Sequence, residues 1–287
     1  MYQMVTDRII EQLEKGIIPW QKPWHGVVDG AISYTSRRPY SFLNQMLLGD
    51  AGEYLTFNQI QQLGGKIKKG AKSRMVVFYK MYKTERKTIK DGSDPNNPEY
   101  EKKEIITPML RYYNVFHIND TEGIESKCTE AQNEANPIKK AEEIITSYVD
   151  REQLKFYPKQ SDRAYYAPLE DKVVVPLISQ YDIPEEYYST TFHELVHSTG
   201  HKKRCNREEC EVVRFGSETY SKEELCAEIG AAMLLNIVGI DTGKTFQNSV
   251  AYIQGWLSRL RSDNKFIVSA SSKAEKAVKY ILGDNND

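Results

Sequence analysis

The chain has 287 residues and a formal net charge of −1, from 39 Lys and Arg against 40 Asp and Glu. A chain of that length buries roughly 75% of the surface it would expose unfolded, so it needs no disulfide or metal staple, and it can form one large domain or two ordinary ones. Apolar residues at 40% and charged residues at 28% exclude a disordered chain, and the charge balance excludes a uniformly basic, histone-like protein but not a local basic surface.

No stretch approaches the roughly 18 apolar residues of a membrane span, so no membrane partner is expected. The opening MYQMVTDRIIEQLEK holds acidic residues and no apolar run, unlike a secretory signal. Cys128, Cys205, Cys210 and Cys226 form no CxxC, which points to a reduced, cytoplasmic protein.

Met4, Ile9, Ile10 and Leu13 fall at helical spacing, and Gly16 and Pro19 end that helix. PWQKPWHGVVDG reads as irregular. Helices are expected over 39–48 and over 56–63, the second capped by Thr56 and closed by Gly64 and Gly65. The β-branched and aromatic run SRMVVFYKMY (73–82) predicts a strand, DGSDPNNPE a turn, and LRYYNVFHI (110–118) the returning strand. Helices followed by a hairpin make a small α+β module, taken as residues 1–125. Residues 119–137 are polar and read as a linker, although 119–124 could still belong to the first module.

A second module, residues 137–287, opens with a helix to about Val149. KVVVPL (172–177) is a strand, and Pro176 within it argues for an edge or a strand end. Helices are expected over 186–199, 223–237, 249–260 and 274–282. Charge divides along the same line. Residues 1–120 hold 18 basic and 13 acidic side chains, whereas the remainder holds 21 and 27.

Residues 193–197 read HELVH. In a helix His193 and His197 share a face and can direct both imidazoles at one ion, while Glu194 can reach water on that ion as a general base. Zn2+ is the expected ion, with Mn2+ or another divalent ion also suited, and peptide-bond hydrolysis is the usual chemistry. An edge strand just before the motif would let a peptide add as an extra strand. A third ligand is needed. His201 follows the break at Gly200 and lies too far along the axis unless the chain folds back. Glu224 and Glu228 share a face of the later helix, so one can be the ligand and the other can accept the remaining N–H of a histidine. Glu223 is explained by the preference of acids for a first helical turn. Tyr220 and His201 are weak candidates for a transition-state donor.

Between Leu63 and Lys90 ten basic residues face only Glu85. Lys66, Lys68, Lys69, Lys72 and Arg74 precede a strand with Phe78, Tyr79 and Tyr82, and Trp20, Trp24, Tyr34, Arg37, Arg38 and Tyr40 form a second aromatic and basic group. Cations can follow a phosphate backbone while rings stack on unpaired bases, so single-stranded nucleic acid is the natural partner. No recognition-helix pattern or Cys/His finger argues for duplex reading.

The strings TDRIIEQLEKGIIPWQKPW, YLTFNQIQQLGGKIKKGAKSRMVVFYK, RYYNVFHI, YYSTTFHELVHSTGH, FGSETYSKEELCAEIGAAML and YIQGWL, in that order, make the chain resemble the ArdC-type antirestriction proteins of plasmids and mobile elements. The resemblance implies an N-terminal domain that binds single-stranded DNA, a C-terminal zincin-like metallopeptidase domain, and a role in protecting transferred DNA. It implies His193 and His197 as ligands and Glu194 as base. In gluzincins the third ligand is the Glu of N-E-x-x-S-D. Here Glu223-Glu224-x-x-Ala227-Glu228 has that shape with three departures, so Glu224 is the expected ligand and Glu228 the alternative. Two rival readings remain: a DNA-binding protection protein with a structural metal, and a cytoplasmic peptidase whose first domain binds protein.

Overall fold

In the computed structural model the described residues are 1–21, 30–89, 100–128, 136–207, 218–241 and 250–284. The expected α+β fold class is observed.

Helix α1 (Tyr2–Glu14) buries the stripe Val5, Ile9 and Leu13, which sit one turn apart on one face. Gly16 follows it with φ +77°, a left-handed conformation that ends the helix at little steric cost. Strand β1 (Ala31–Ser33) leads to helix α2 (Phe42–Leu48), and then to strand β2 (Gly52–Thr56) and helix α3 (Phe57–Gln62). Thr56 caps α3 as expected, in a reciprocal box with Gln59.

Strand β3 (Lys66–Ile67) precedes a long hairpin of β4 (Arg74–Ile89) and β5 (Tyr100–His117). Their register runs without interruption from Arg74 opposite Val115 to Ile89 opposite Tyr100. Both strands run well past the expected limits of 82 and 110; the extension is rich in charged residues, and its few apolar ones, among them Ile105, Ile106 and Met109, form no alternating pattern. The sheet order is β1-β2-β5-β4, with β1 parallel to β2 and the other pairs antiparallel. The outer edge of β4 is covered at its base, where the Asn44 amide receives the Val77 N–H at 2.7 Å and donates to the Val77 carbonyl at 2.8 Å. Beyond that point the two strands form an arm.

The first part of the expected linker is fixed to this module. Strand β6 (Thr121–Glu122) pairs with β3, and the buried Glu53 carboxylate accepts from Ser126 Oγ and the Lys127 N–H at 2.7 and 2.9 Å.

Helix α4 (Pro137–Glu152) has Pro137 at its first position and Asn136 as its cap. It is followed by strands β7 (Lys155–Lys159), β8 (Tyr165–Ala167) and β9 (Lys172–Pro176) in the order β7-β9-β8. Of the two expectations for 172–177, the edge is overturned, because β9 is central and β7 and β8 are the edges, and the strand end is what is observed. Pro176 is tolerated because it occupies the last position of the strand. Helices α5 (Pro184–Thr199), α6 (Glu218–Val238), α7 (Val250–Ser262) and α8 (Phe266–Leu282) complete the fold. Among the described residues, no helix is long and apolar enough to cross a membrane.

The main core is shared by both halves of the chain. It joins Val5, Ile9, Trp20, Met46, Val77 and Leu110 to Phe192, Leu225, Leu234, Trp256 and Ile281. Thr6 Oγ1 also donates to the Asn264 carbonyl at 2.9 Å. The N-terminal helices thus complete the surface of the C-terminal helical layer, while the sheet keeps two small clusters of its own.

Candidate metal centre

Pro184 starts α5 with a preset φ, and Glu185 and Glu186 in its first turn suit the positive end of the helix dipole. The four-residue spacing then does what the sequence predicts. His193 and His197 lie with ring centroids 4.7 Å apart and their Nε2 atoms 3.0 Å apart.

Helix α6 supplies the facing carboxylate. Glu224 Oε2 is 3.6 Å from His193 Nε2, and Glu224 Oε1 is 3.5 Å from His197 Nε2. The candidate ligand atoms of these three residues all lie within 4.8 Å of one another, so they could hold one ion. Two imidazoles and a carboxylate are a donor set that suits zinc and manganese alike. Glu194 is buried at 7% exposure, on the same turn as His193. Burial alone would lower the His193 imidazole, but the carboxylates of Glu224 and Glu194 hold it up at about 9. The site therefore favours positive charge at that position.

Helices α5 and α6 approach closely because Gly230 faces Val196. A Cβ at Gly230 would lie 2.7 Å from Val196 Cγ2. The histidines and Glu224 are held in register by this close approach.

Glu223 departs from the sequence reading. It is not a solvated helix start but is 5% exposed, with its Oε1 3.2 Å from His197 Nδ1. Arg207 binds the same carboxylate twice, through Nε at 2.9 Å and Nη2 at 2.6 Å. The guanidinium also donates to Thr199 Oγ1 and the Val196 carbonyl. Burial would raise the Glu223 carboxyl, but Arg207 and His197 hold it down at about 2. A carboxylate fixed in this way sets the His197 tautomer and directs Nε2 toward the centre. Arg207 escaped the sequence reading because it stands 16 residues before Glu223, at no helical spacing from it.

Glu228 is placed elsewhere. Its Oε2 accepts from Trp20 Nε1 at 3.3 Å and from the Tyr252 hydroxyl. Burial pushes its carboxyl up to about 7, against the opposing pull of Tyr252, His193 and Trp20. It is not in the cluster with the two histidines. His201 also turns away, accepting from the Lys203 N–H and lining an open cleft with Glu152, Asp171 and Lys202. The side chain of Tyr220 lies outside the described residues.

The residues expected to meet DNA have separate fates. Trp20 is corrected: it is fully buried, packed edge-on to Trp256 at 6.3 Å, and has no face for a base. Trp24 lies outside the described residues. Arg37 is engaged by the Glu53 carboxylate and Cys128. Arg74 is engaged by Asp50, Tyr54 and the Leu48 carbonyl, so it holds the sheet together instead of reaching for phosphate. Arg38, Lys66, Lys68, Lys69 and Lys72 are exposed, with Lys68 donating to the Asn119 carbonyl. Tyr79 is exposed on the face of the hairpin that carries Val77, with its hydroxyl 3.3 Å from that of Tyr2.

Comparison with known proteins agrees with this architecture. Residues 1–116 match the family described as the N-terminal domain of anti-restriction factor ArdC, and residues 141–273 match the zincin-like metallopeptidase family. Crystal structures of the antirestriction ArdC protein from plasmid R388 superpose over 99% of this chain and 97% of theirs. The metal-free form has a TM-score of 0.72 at 29% identity and the Mn(II)-bound form 0.73 at 28%. The DNA primase TraC of Escherichia coli is 30% identical over 98% of this chain, but the chain spans only about a quarter (27%) of that protein. With a match to each half and a structural match along its length, the chain matches the ArdC antirestriction family, with an ArdC-like N-terminal domain joined to a zincin-like metallopeptidase domain.

Proposed function

We propose that this protein binds single-stranded DNA through its first module, about residues 1–125, and hydrolyses peptide bonds in the cytoplasm through its second, about residues 137–287. Together these activities would protect DNA carried by a mobile element from restriction. The observation that carries the peptidase reading is the conjunction of Glu194 with the His193, His197 and Glu224 cluster and its Glu223–Arg207 support.

His193, His197 and Glu224 are the residues proposed to hold a divalent ion, zinc or manganese. When bound, that ion supplies a Lewis acid that polarises a carbonyl and acidifies water. Glu194 accepts the proton and returns it to the leaving amine. Glu223 orients His197, and Arg207 keeps Glu223 ionised. The Mn(II)-bound and metal-free forms of the R388 protein match this fold equally well, which disfavours a purely structural role for the ion. A protein or peptide is the proposed substrate, and the edges β7 and β8 are where an extended peptide could add to the sheet.

The test is purified full-length protein given zinc or manganese, a peptide library, and labelled single-stranded DNA. Metal-dependent cleavage that a chelator abolishes is the expected result, together with DNA binding that weakens with salt. Metal binding without cleavage of any peptide or co-purified DNA-processing protein would leave only the protective, non-proteolytic reading.

A further inference from the structure

The exposed arm of β4 and β5 has two unlike faces. Alternation puts Phe78, Lys80, Tyr82 and Thr84 of β4 on one face, opposite Tyr113, Arg111, Met109, Thr107 and Ile105 of β5. No acidic residue falls among these nine positions. The other face carries Glu85, and near its base Tyr79 reaches Tyr2 of α1.

Along these nine positions the rings cluster near the base. Tyr40 is packed beneath them, 6.1 Å from Phe78, and Phe78 is 6.0 Å from Tyr113 at an interplanar angle of 61°. Phe78 and Tyr113 remain 44% and 49% exposed, so each keeps a ring surface open to solvent. Next along the arm, Tyr82 is flanked by two cations. The Arg111 guanidinium lies 5.6 Å and the Lys80 ammonium 5.5 Å from its ring centre. Arg111 also donates to the Tyr82 hydroxyl through Nη2 at 2.8 Å, which fixes the guanidinium in place.

Exposed large apolar rings on a protruding strand pair cost solubility and invite association, so they call for a partner. The chemistry selects which one. Two rings with open faces, 6.0 Å apart across the strand pair and followed along the arm by cations held on Tyr82, match neighbouring bases and phosphates of an extended polynucleotide. A protein strand adding to the β4 edge would use backbone groups and would not require the cations.

We propose that this face, with Phe78 and Tyr113 as stacking platforms and Lys80 and Arg111 as phosphate-binding cations, is the track for about two to three nucleotides of single-stranded DNA. The assignment rests on the DNA-binding reading above and moves its centre from the Lys66–Lys72 turn and Trp20 to the hairpin arm. The turn lysines then add charge without touching bases.

The experiment measures binding of a fluorescent oligothymidine to the full-length protein over a range of salt. Phe78→Leu combined with Tyr113→Leu should weaken binding about ten- to a hundredfold and leave the salt slope unchanged, because stacking and not charge is removed. Lys80→Gln with Arg111→Gln should lower the slope by about 0.7 for each phosphate no longer neutralised. Phe78→Trp is the rescue: it should retain affinity, and its new indole emission should be quenched by the oligonucleotide. Wild-type binding that survives the double leucine variant, or that disappears only when Lys66, Lys68 and Lys69 become Gln, would overturn this assignment while the DNA-binding reading stands. A change of oligomeric state in the leucine variant without loss of DNA affinity would overturn it in favour of self-association. Failure of the wild type to bind at low salt would overturn both.

Discussion

The candidate metal centre and the hairpin arm solve opposite problems with related residues. At and beside the centre, ionisable groups are buried and held by neighbours: Glu223 at the centre by Arg207 and His197, and Glu228 beside it by Trp20 and Tyr252. On the arm, cations and rings stay in solvent and are held mainly by one another. A buried group in a low-dielectric setting is positioned firmly but punishes loss of its partner. An exposed group can be removed with little effect on the fold, so its substitution reads out binding alone. The contrast is sharpest for the aromatics, since Trp20 serves the core while Phe78 faces solvent.

The largest effect should come from the centre and leave the arm untouched. Glu194→Gln keeps the shape of the side chain but removes the proton acceptor. Peptide hydrolysis should fall by about two to four orders of magnitude, while metal content and oligonucleotide affinity stay at wild-type values. A variant that still cleaved at the full rate would remove Glu194 from the chemistry. If DNA binding fell with it, the two regions would be coupled and not merely joined.

Next is the support beneath His197. Glu223→Gln leaves the Arg207 guanidinium buried without a counter-charge and should destabilise the fold by ~3–5 kcal/mol in denaturant titration. Replacing both partners, Glu223→Leu with Arg207→Met, should recover much of that stability but still weaken metal binding about ten- to a hundredfold, because His197 Nδ1 loses its acceptor. Recovery of both would show that the pair has no role in orienting the ligand. The sign of the pH dependence follows from the low Glu223 value. A carboxyl at about 2 in the fold, against an ordinary 4.5, contributes stability that is fully present above about pH 4.5 and drains away as the pH falls toward 2.

How much of this is legible in the sequence depends on the distance over which each feature is determined. HELVH and the α6 helix are local patterns, so the placement of His193 and His197 on one face can be read from spacing. Glu224 can be found by family shape. The role of Glu223 cannot, because its meaning comes from Arg207, 16 residues away in sequence. Trp20 misleads for a related reason. Its neighbours in sequence are basic and aromatic, while its partners Glu228 and Trp256 lie more than 200 residues away. The central position of β9 is hidden because its two neighbours are short and only partly buried, leaving little apolar pattern. The hairpin is recognisable from its apolar base, but its outer half mixes charged and isolated apolar residues, so the grouping of Phe78, Tyr113, Lys80 and Arg111 on one face emerges only once the pairing is known.

A smaller effect tests whether the centre depends on how α5 and α6 are packed. Gly230→Ala puts a methyl group 2.7 Å from Val196 Cγ2, and a β-branched neighbour has few rotamers with which to yield. The helices must separate by some tenths of an ångström, which should cost ~1–3 kcal/mol and carry Glu224 away from the histidines. Metal affinity should fall more than the loss of global stability would explain, measured by competition with a chromogenic chelator. Unchanged affinity would mean that the three ligands tolerate movement between the helices.

The smallest effect has the opposite sign and uses the same substitution in a different setting. Gly255 lies within α7, and a Cβ there would meet nothing within 4 Å among the described residues. With no neighbour to displace, only the backbone entropy of glycine matters, so Gly255→Ala should stabilise the protein by about 0.5–1 kcal/mol. Neither metal affinity nor oligonucleotide affinity should change. Destabilisation would mean that the face of α7 bearing Gly255 is covered by another surface when the protein is in solution, and the contrast with Gly230 would then be one between two interfaces. Stabilisation would confine the packing constraint to the side of the helical layer that holds the metal centre.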